Sequence, residues 1–398
     1  MKYHYPYVSN GYTGLVCSLD SLTLNARFYS LFHGGQLECD AMFPQRVPRM
    51  DYFVELDYLE EGRFKRPFEE ALSESIRCVD KFKREPLKGF LDADITVLVF
   101  HMNYLLRQGQ FQSLHDLPID LEPYNFFRLE VALLVETARI ELALCSGQVP
   151  CLEGLASIAK LMLDVEAPVA QKIRVINRLI VYACRHGGEC SDIKTYLFYL
   201  WELLEGYSAS AFADKVAQAV GYRGIAMSDV LSPVQREHAL SRCEKISREL
   251  KAAAVSVVDE IIYAENLYNV LQTLSKWAGL HKNWSDADKL LHEMMRLDPL
   301  DSTAFTEHGV LKIRLGEYDQ AIESLQKAVA LGPPGVAMNS FLLGEILMSR
   351  GELLSAEEQF NKAIVFDPEA VSPYLSLLTL HAGQGREKRS EIDFSTAY

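Results

Sequence analysis

Cys184-Arg185-His186-Gly187-Gly188-Glu189-Cys190 gathers three soft donors that could hold zinc. A structural zinc site takes a fourth ligand and usually closely spaced pairs, and neither accompanies this segment. No metal is expected there. The eight cysteines, at 17, 39, 78, 145, 151, 184, 190 and 243, include no Cys-x-x-Cys pair, which fits buried thiols in a reducing compartment. The ten histidines are dispersed, and His101 and His308, both on expected helices, read as core or exposed residues rather than general bases. Asp92 and Asp94 lie together, but in the first turn of a helix, where carboxylates favour the dipole. The chain has no Gly-rich phosphate cradle, His-Glu-x-x-His helix or Gly-x-Ser-x-Gly elbow. The expectation is therefore no catalytic residues, no cofactor and no metal. An enzyme carried on a helical scaffold is the lesser alternative.

Nor does composition point to chemistry. A chain of 398 residues that is 49% hydrophobic and 24% charged can bury a large core. Its net charge of −14 argues against nonspecific binding to nucleic acid or anionic membrane, both of which need a basic surface. The most apolar stretch, Ile95 to Leu106, contains His101 and Asn103 and is too short to span a bilayer. The start, Met1-Lys2-Tyr3-His4-Tyr5-Pro6, does not read as a secretory signal, so a cytoplasmic setting is expected. The sequon Asn283-Trp284-Ser285 then reads as chance.

Four regions are expected. Residues 1–65 are irregular, with Pro44-Gln45-Arg46-Val47-Pro48 and many aromatics, among them Tyr3, Tyr5, Tyr7, Phe28, Tyr29, Phe32, Phe43, Tyr52 and Phe53. That segment packs either on its own chain or on a partner. Residues 66–265 read by periodicity as helices near 67–84, 91–107, 123–145, 151–164, 168–186, 191–205, 209–221 and 232–265, forming degenerate hairpins. In one of them Phe127, Val131, Leu134, Ala138 and Leu142 share a face, while Arg128, Glu136, Arg139 and Glu141 fall elsewhere. Residues 266–369 hold three repeats. Residues 370–398 form a capping helix through Tyr374, Leu377, Leu378, Leu380 and His381, then a polar tail with Arg386, Lys388 and Arg389.

The repeats recur at about 34 residues. In the middle copy Phe305, Gly309, Gly316, Tyr318, Ala321, Leu325, Ala328 and Pro333 each have a packing role. Gly309 lets the second helix approach, Gly316 and Tyr318 mark the turn, Ala321 and Ala328 allow close crossing, and Pro333 stops the second helix. The third copy repeats them as Ser340, Gly344, Gly351, Leu353, Ala356, Phe360, Ala363 and Pro368. The first is looser: Leu271, Trp284, Ala287, Leu291 and Pro299 fit, while Ser275, Lys282 and Met294 replace small residues. This pattern resembles the tetratricopeptide repeat family over roughly a quarter of the chain. It implies an all-α, helix-turn-helix α-solenoid.

The resemblance also implies a function. In this family the first helix of each unit lines a groove that reads a peptide or a partner helix. The lining positions map onto Asn269, Gln272 and Lys276, then Thr303, Thr306, Val310, Ile313 and Arg314, then Met338, Phe341, Glu345 and Met348. Capture of a chaperone's C-terminal tail is not implied, because the later Asn and Lys-Arg positions of that clamp are missing. Phe341, Met348 and Ile313 suggest instead an amphipathic helix or a folded subunit as partner. Phe341→Ala together with Arg314→Glu should then weaken partner binding while leaving helicity and thermal unfolding nearly unchanged. The expected function is a non-catalytic scaffold in a multiprotein assembly, with a transient adaptor or chaperone as the alternative. A helical region containing Leu105-Leu106-Arg107-Gln108-Gly109-Gln110-Phe111-Gln112 followed by C-terminal repeats is similar in order to the repeat-bearing subunit of the TRAPP vesicle-tethering complex. That similarity makes vesicle tethering one possible setting.

Overall fold

The computed structural model describes residues 68–84, 91–107, 111–118, 125–145, 148–186, 192–228, 230–255, 257–299, 301–331 and 335–383. The aromatic segment 1–65, Gly187 to Cys190, Gly109, Gly147, Pro333 and the basic tail lie outside these residues. Among the described residues every regular element is a helix, and none is long and apolar enough to cross a membrane. They form two compact units, one ending at Thr273 and the other beginning at Leu274.

The first unit is a series of helix pairs: α1 (Phe68–Arg84) with α2 (Asp92–Arg107), α3 (Phe126–Cys145) with α4 (Glu153–Asp164), α5 (Val169–His186) with α6 (Ile193–Gly206), and α7 (Phe212–Ala226) with α8 (Pro233–Ala253). Periodicity explains them. Val131, Leu134 and Ala138 of α3 are buried as their spacing predicts. Arg128 and Glu141 depart from that reading, since both are buried as well. Glu141 accepts a hydrogen bond from the Tyr182 hydroxyl, and Thr137 accepts one from Arg178, so two polar links join α3 to α5. His101 is a satisfied core residue, its Nδ1 2.9 Å from Ser75 Oγ. Asp94 accepts the Leu91 N–H at 3.1 Å, as a carboxylate in a first turn should.

The expected single helix 232–265 is two helices. The first, α8, starts with a capping box between Ser232 and Gln235 around Pro233. It stops at Ala254, whose backbone turns extended (φ −70°, ψ 121°). The next, α9 (Val257–Leu280), begins where the Asp259 carboxylate accepts the Val255 N–H at 3.1 Å. This break uses alanines and a capping carboxylate, with no Gly or Pro to announce it.

The second unit continues from α9 with α10 (Trp284–Leu297), then pairs α11 (Ser302–Leu315) with α12 (Tyr318–Leu331), and α13 (Val336–Ser349) with α14 (Leu353–Phe366). A further helix, α15 (Val371–Gly383), packs on α13 and α14 and buries Leu377 and Leu380. A methyl group at Gly309 would fall 2.8 Å from Leu325, and one at Gly344 2.6 Å from the Phe360 ring. These glycines do set the helix approach. Gly316 and Gly351 end α11 and close the α13 turn with left-handed backbones, φ 77° and 79°. Lys282 takes the same conformation in the first copy at φ 59°. Asn283 is not incidental, because it caps α10 by accepting the Asp286 N–H.

Candidate functional site

The positions expected to line a groove fall on the first helices α9, α11 and α13, and the structure treats them differently. Asn269 and Gln272 belong to the first unit, where Asn269 is half-buried and donates to the Glu265 carbonyl. Lys276, Thr303, Thr306, Val310, Arg314, Met338 and Met348 keep half-exposed or exposed side chains in the second unit. Three others do not. Ile313 and Phe341 are core residues of one apolar cluster, and the Phe341 ring sits 6.1 Å from that of Phe360. Glu345 is buried and accepts a 2.6 Å hydrogen bond from Ser376 Oγ on α15. The reason is local: α13 is covered by α12, α14 and α15, so it buries most of its residues, including Asn339, Ser340, Leu343 and Leu347.

Polar bridges tie successive first helices. Lys276 Nζ lies 3.2 Å from Glu307 Oε1, linking α9 to α11. Asn339 donates to Thr306 Oγ1 at 2.8 Å, linking α11 to α13. The Ser376 bond to Glu345 links α13 to α15. Glu307, Asn339 and Ser376 escaped the sequence reading because each occupies a position where the repeat pattern prescribes no residue type. Beside these bridges Arg314 is exposed and Thr303, Val310 and Met338 are partly exposed.

With those pairings in view the arrangement is clear. The second unit is a tetratricopeptide-like array. No protein-family model and no curated protein matches the sequence. Among solved structures, a monomeric IFIT1 mutant with Gppp-AAAA is 14% identical, with 95% of this chain and 80% of that chain covered and a TM-score of 0.46. The APC/C hetero-tetramer Cut9–Hcn1 is 13% identical over 86% of this chain and 70% of that chain, with a TM-score of 0.29. The TPR2AB-domain:pHSP90 complex of yeast Sti1 is 14% identical over 78% and 98%, with a TM-score of 0.26.

One polar cluster of the array lies off the first-helix face, between α10, α11 and α12. Asp288, His292, His308 and Lys312 converge there, with Ser324 behind them. Burial pushes the His308 imidazole down to about 4, so the ring is neutral at neutral pH. Burial would raise Asp288, but the adjacent Lys312 ammonium outweighs it and holds the carboxyl below its usual range. Repeat spacing gave no hint of this group, although Asp288 and His292 stand four apart on one helix face.

Proposed function

We propose that this chain is a protein-binding scaffold that takes a partner across the first-helix face of its C-terminal array, as a subunit of a multiprotein assembly. The observation that carries the reading is the set of Thr303, Val310, Arg314 and Met338, exposed or partly exposed on successive first helices that polar bridges join. Such a set is where helical arrays read a partner. Because Phe341 and Ile313 are spent on the core, the face is mixed rather than apolar, which favours a folded subunit over a greasy amphipathic helix. Vesicle tethering is one setting consistent with the order of parts.

The test is recovery of partners with the tagged chain from its native cells, read by mass spectrometry and crosslinking. Arg314→Glu with Met338→Glu should remove the partners while leaving helicity and thermal unfolding as in the parent. Partners retained at the same ratio by the double variant would discard the face. A chain that purifies alone would discard the assembly role.

A further inference from the structure

His308 presents an unusual combination for a buried histidine. It is 6% exposed, its Nδ1 lies 2.7 Å from Ser324 Oγ, and its Nε2 has no hydrogen-bond partner. That nitrogen points at Asp288, 3.3 Å from Oδ1. Oδ1 also meets Lys312 Nζ at 2.8 Å, an ammonium that hydrogen-bonds Glu317 Oε2 at 3.0 Å as well. His292, one turn along α10 from Asp288, stacks edge-to-face on His308 with ring centres 4.9 Å apart.

Buried polar atoms ordinarily find partners, so a buried imidazole nitrogen without a hydrogen bond, facing a carboxylate, leaves a place for a third party. The tautomers are already suited to one. A backbone carbonyl only accepts, so the 2.8 Å contact of His292 Nδ1 with the Asp288 carbonyl puts the proton on Nδ1 and the lone pair on Nε2. Ser324 Oγ, 2.7 Å from His308 Nδ1, does the same for the second ring in the tautomer in which the hydroxyl accepts. Such anchoring of the far nitrogen is how ligating histidines are oriented.

We propose that Asp288, His292 and His308 form a binding site for a divalent cation of the zinc class, held by two imidazole nitrogens and a carboxylate oxygen. One donor atom from each residue lies within 4.8 Å of the other two. Tetrahedral zinc at bonds of about 2 Å wants donors about 3.3 Å apart; His308 Nε2 and Asp288 Oδ1 already stand 3.3 Å apart, and the widest gap must close by up to about 1.5 Å. Asp288 is half-buried and His292 exposed, which leaves both free to turn inward, while buried His308 stays as the fixed point. Nitrogen and carboxylate donors in this ratio suit zinc and its neighbours rather than calcium or magnesium. Lys312 competes for the same carboxylate and sets the affinity. The ion would clamp α10 to α11, the contact between the first and second repeats.

The test uses the full chain without a histidine tag, stripped by chelator and titrated with zinc against a chromophoric chelator. Expected are one zinc per chain, a rise in melting temperature with zinc, and visible tetrahedral absorption with cobalt. Asp288→Asn and His292→Ala should each weaken zinc at least tenfold, and Lys312→Met should tighten it. His292 is exposed, so its variant should melt with the parent in the absence of metal. Absence of stoichiometric binding, or unchanged affinity in His292→Ala, would overturn the site. Zinc lost instead on Cys190→Ser would overturn it equally, placing the ion on Cys184 to Cys190.

Discussion

Lys282 shows how a repeat departs from its own pattern without losing its geometry. Its backbone is left-handed where Gly316 and Gly351 stand in the later copies, and an L side chain pays for that conformation. Lys282→Gly should therefore raise stability by about 1 kcal/mol in urea unfolding. Gly309 and Gly344 were legible in the sequence because only a missing side chain admits Leu325 and Phe360 so closely. Phe341 was not legible, because the family register describes a first helix with an open face and α13 leaves only a narrow one, with Met338 and Met348 partly exposed. Its truncation is a core deletion: Phe341→Ala should cost about 3–5 kcal/mol and lower the unfolding midpoint, contrary to the expectation of an unchanged fold. Cys243 gives a pH-dependent reading. Burial pushes its thiol from 9.0 up to about 12, and its Sγ donates to the Ala219 carbonyl. Between those values the unfolded chain has lost a proton that the folded chain retains, so this thiol's contribution to stability is lost as pH rises from about 9 towards 12. A Cys243→Ala variant should lose less stability over that window than the parent. Iodoacetamide at neutral pH should label exposed Cys151 and Cys184 and leave Cys243 intact until the chain unfolds.

At the scale of elements, periodicity located the helices and punctuation located their ends. Gly and Pro punctuation located the ends at Pro233 and Gly316, but it misplaced the end of the helix expected over 209–221, which runs on through Gly221 to Ala226. It failed between α8 and α9, because Ala254 and Asp259 end one helix and start another without either residue. The first unit shows a second kind of omission. Gly221 and Gly224 lie on the buried side of α7, where a methyl at Gly221 would meet Ile173 and Leu204 and one at Gly224 would strike Asn177. They do in α7 what Gly309 and Gly344 do in the repeats, but at a spacing the repeat pattern does not contain. Gly224→Ala should destabilise the first unit by about 1–3 kcal/mol, seen as earlier loss of protection in α5 and α7 by hydrogen exchange.

For the whole molecule, two units within one chain and contacts mainly between neighbouring helices make stability a sum of local terms. Removing α15 should cost the second unit roughly 3–6 kcal/mol through its two buried leucines, Leu377 and Leu380, and leave the first unit's unfolding where it was. The three bridges along the first helices have a mechanical meaning. Lys276–Glu307 sits largely in solvent, Asn339 reaches Thr306 at a half-buried position, and Glu345–Ser376 is sealed. A water-exposed ion pair weakens in salt and yields to competing partners, whereas a sealed hydrogen bond does neither. The array is thus a spring of graded stiffness, clamped at its C-terminal turn and compliant where α9 meets α11. A ligand that spreads the helices would open it from that softer end first.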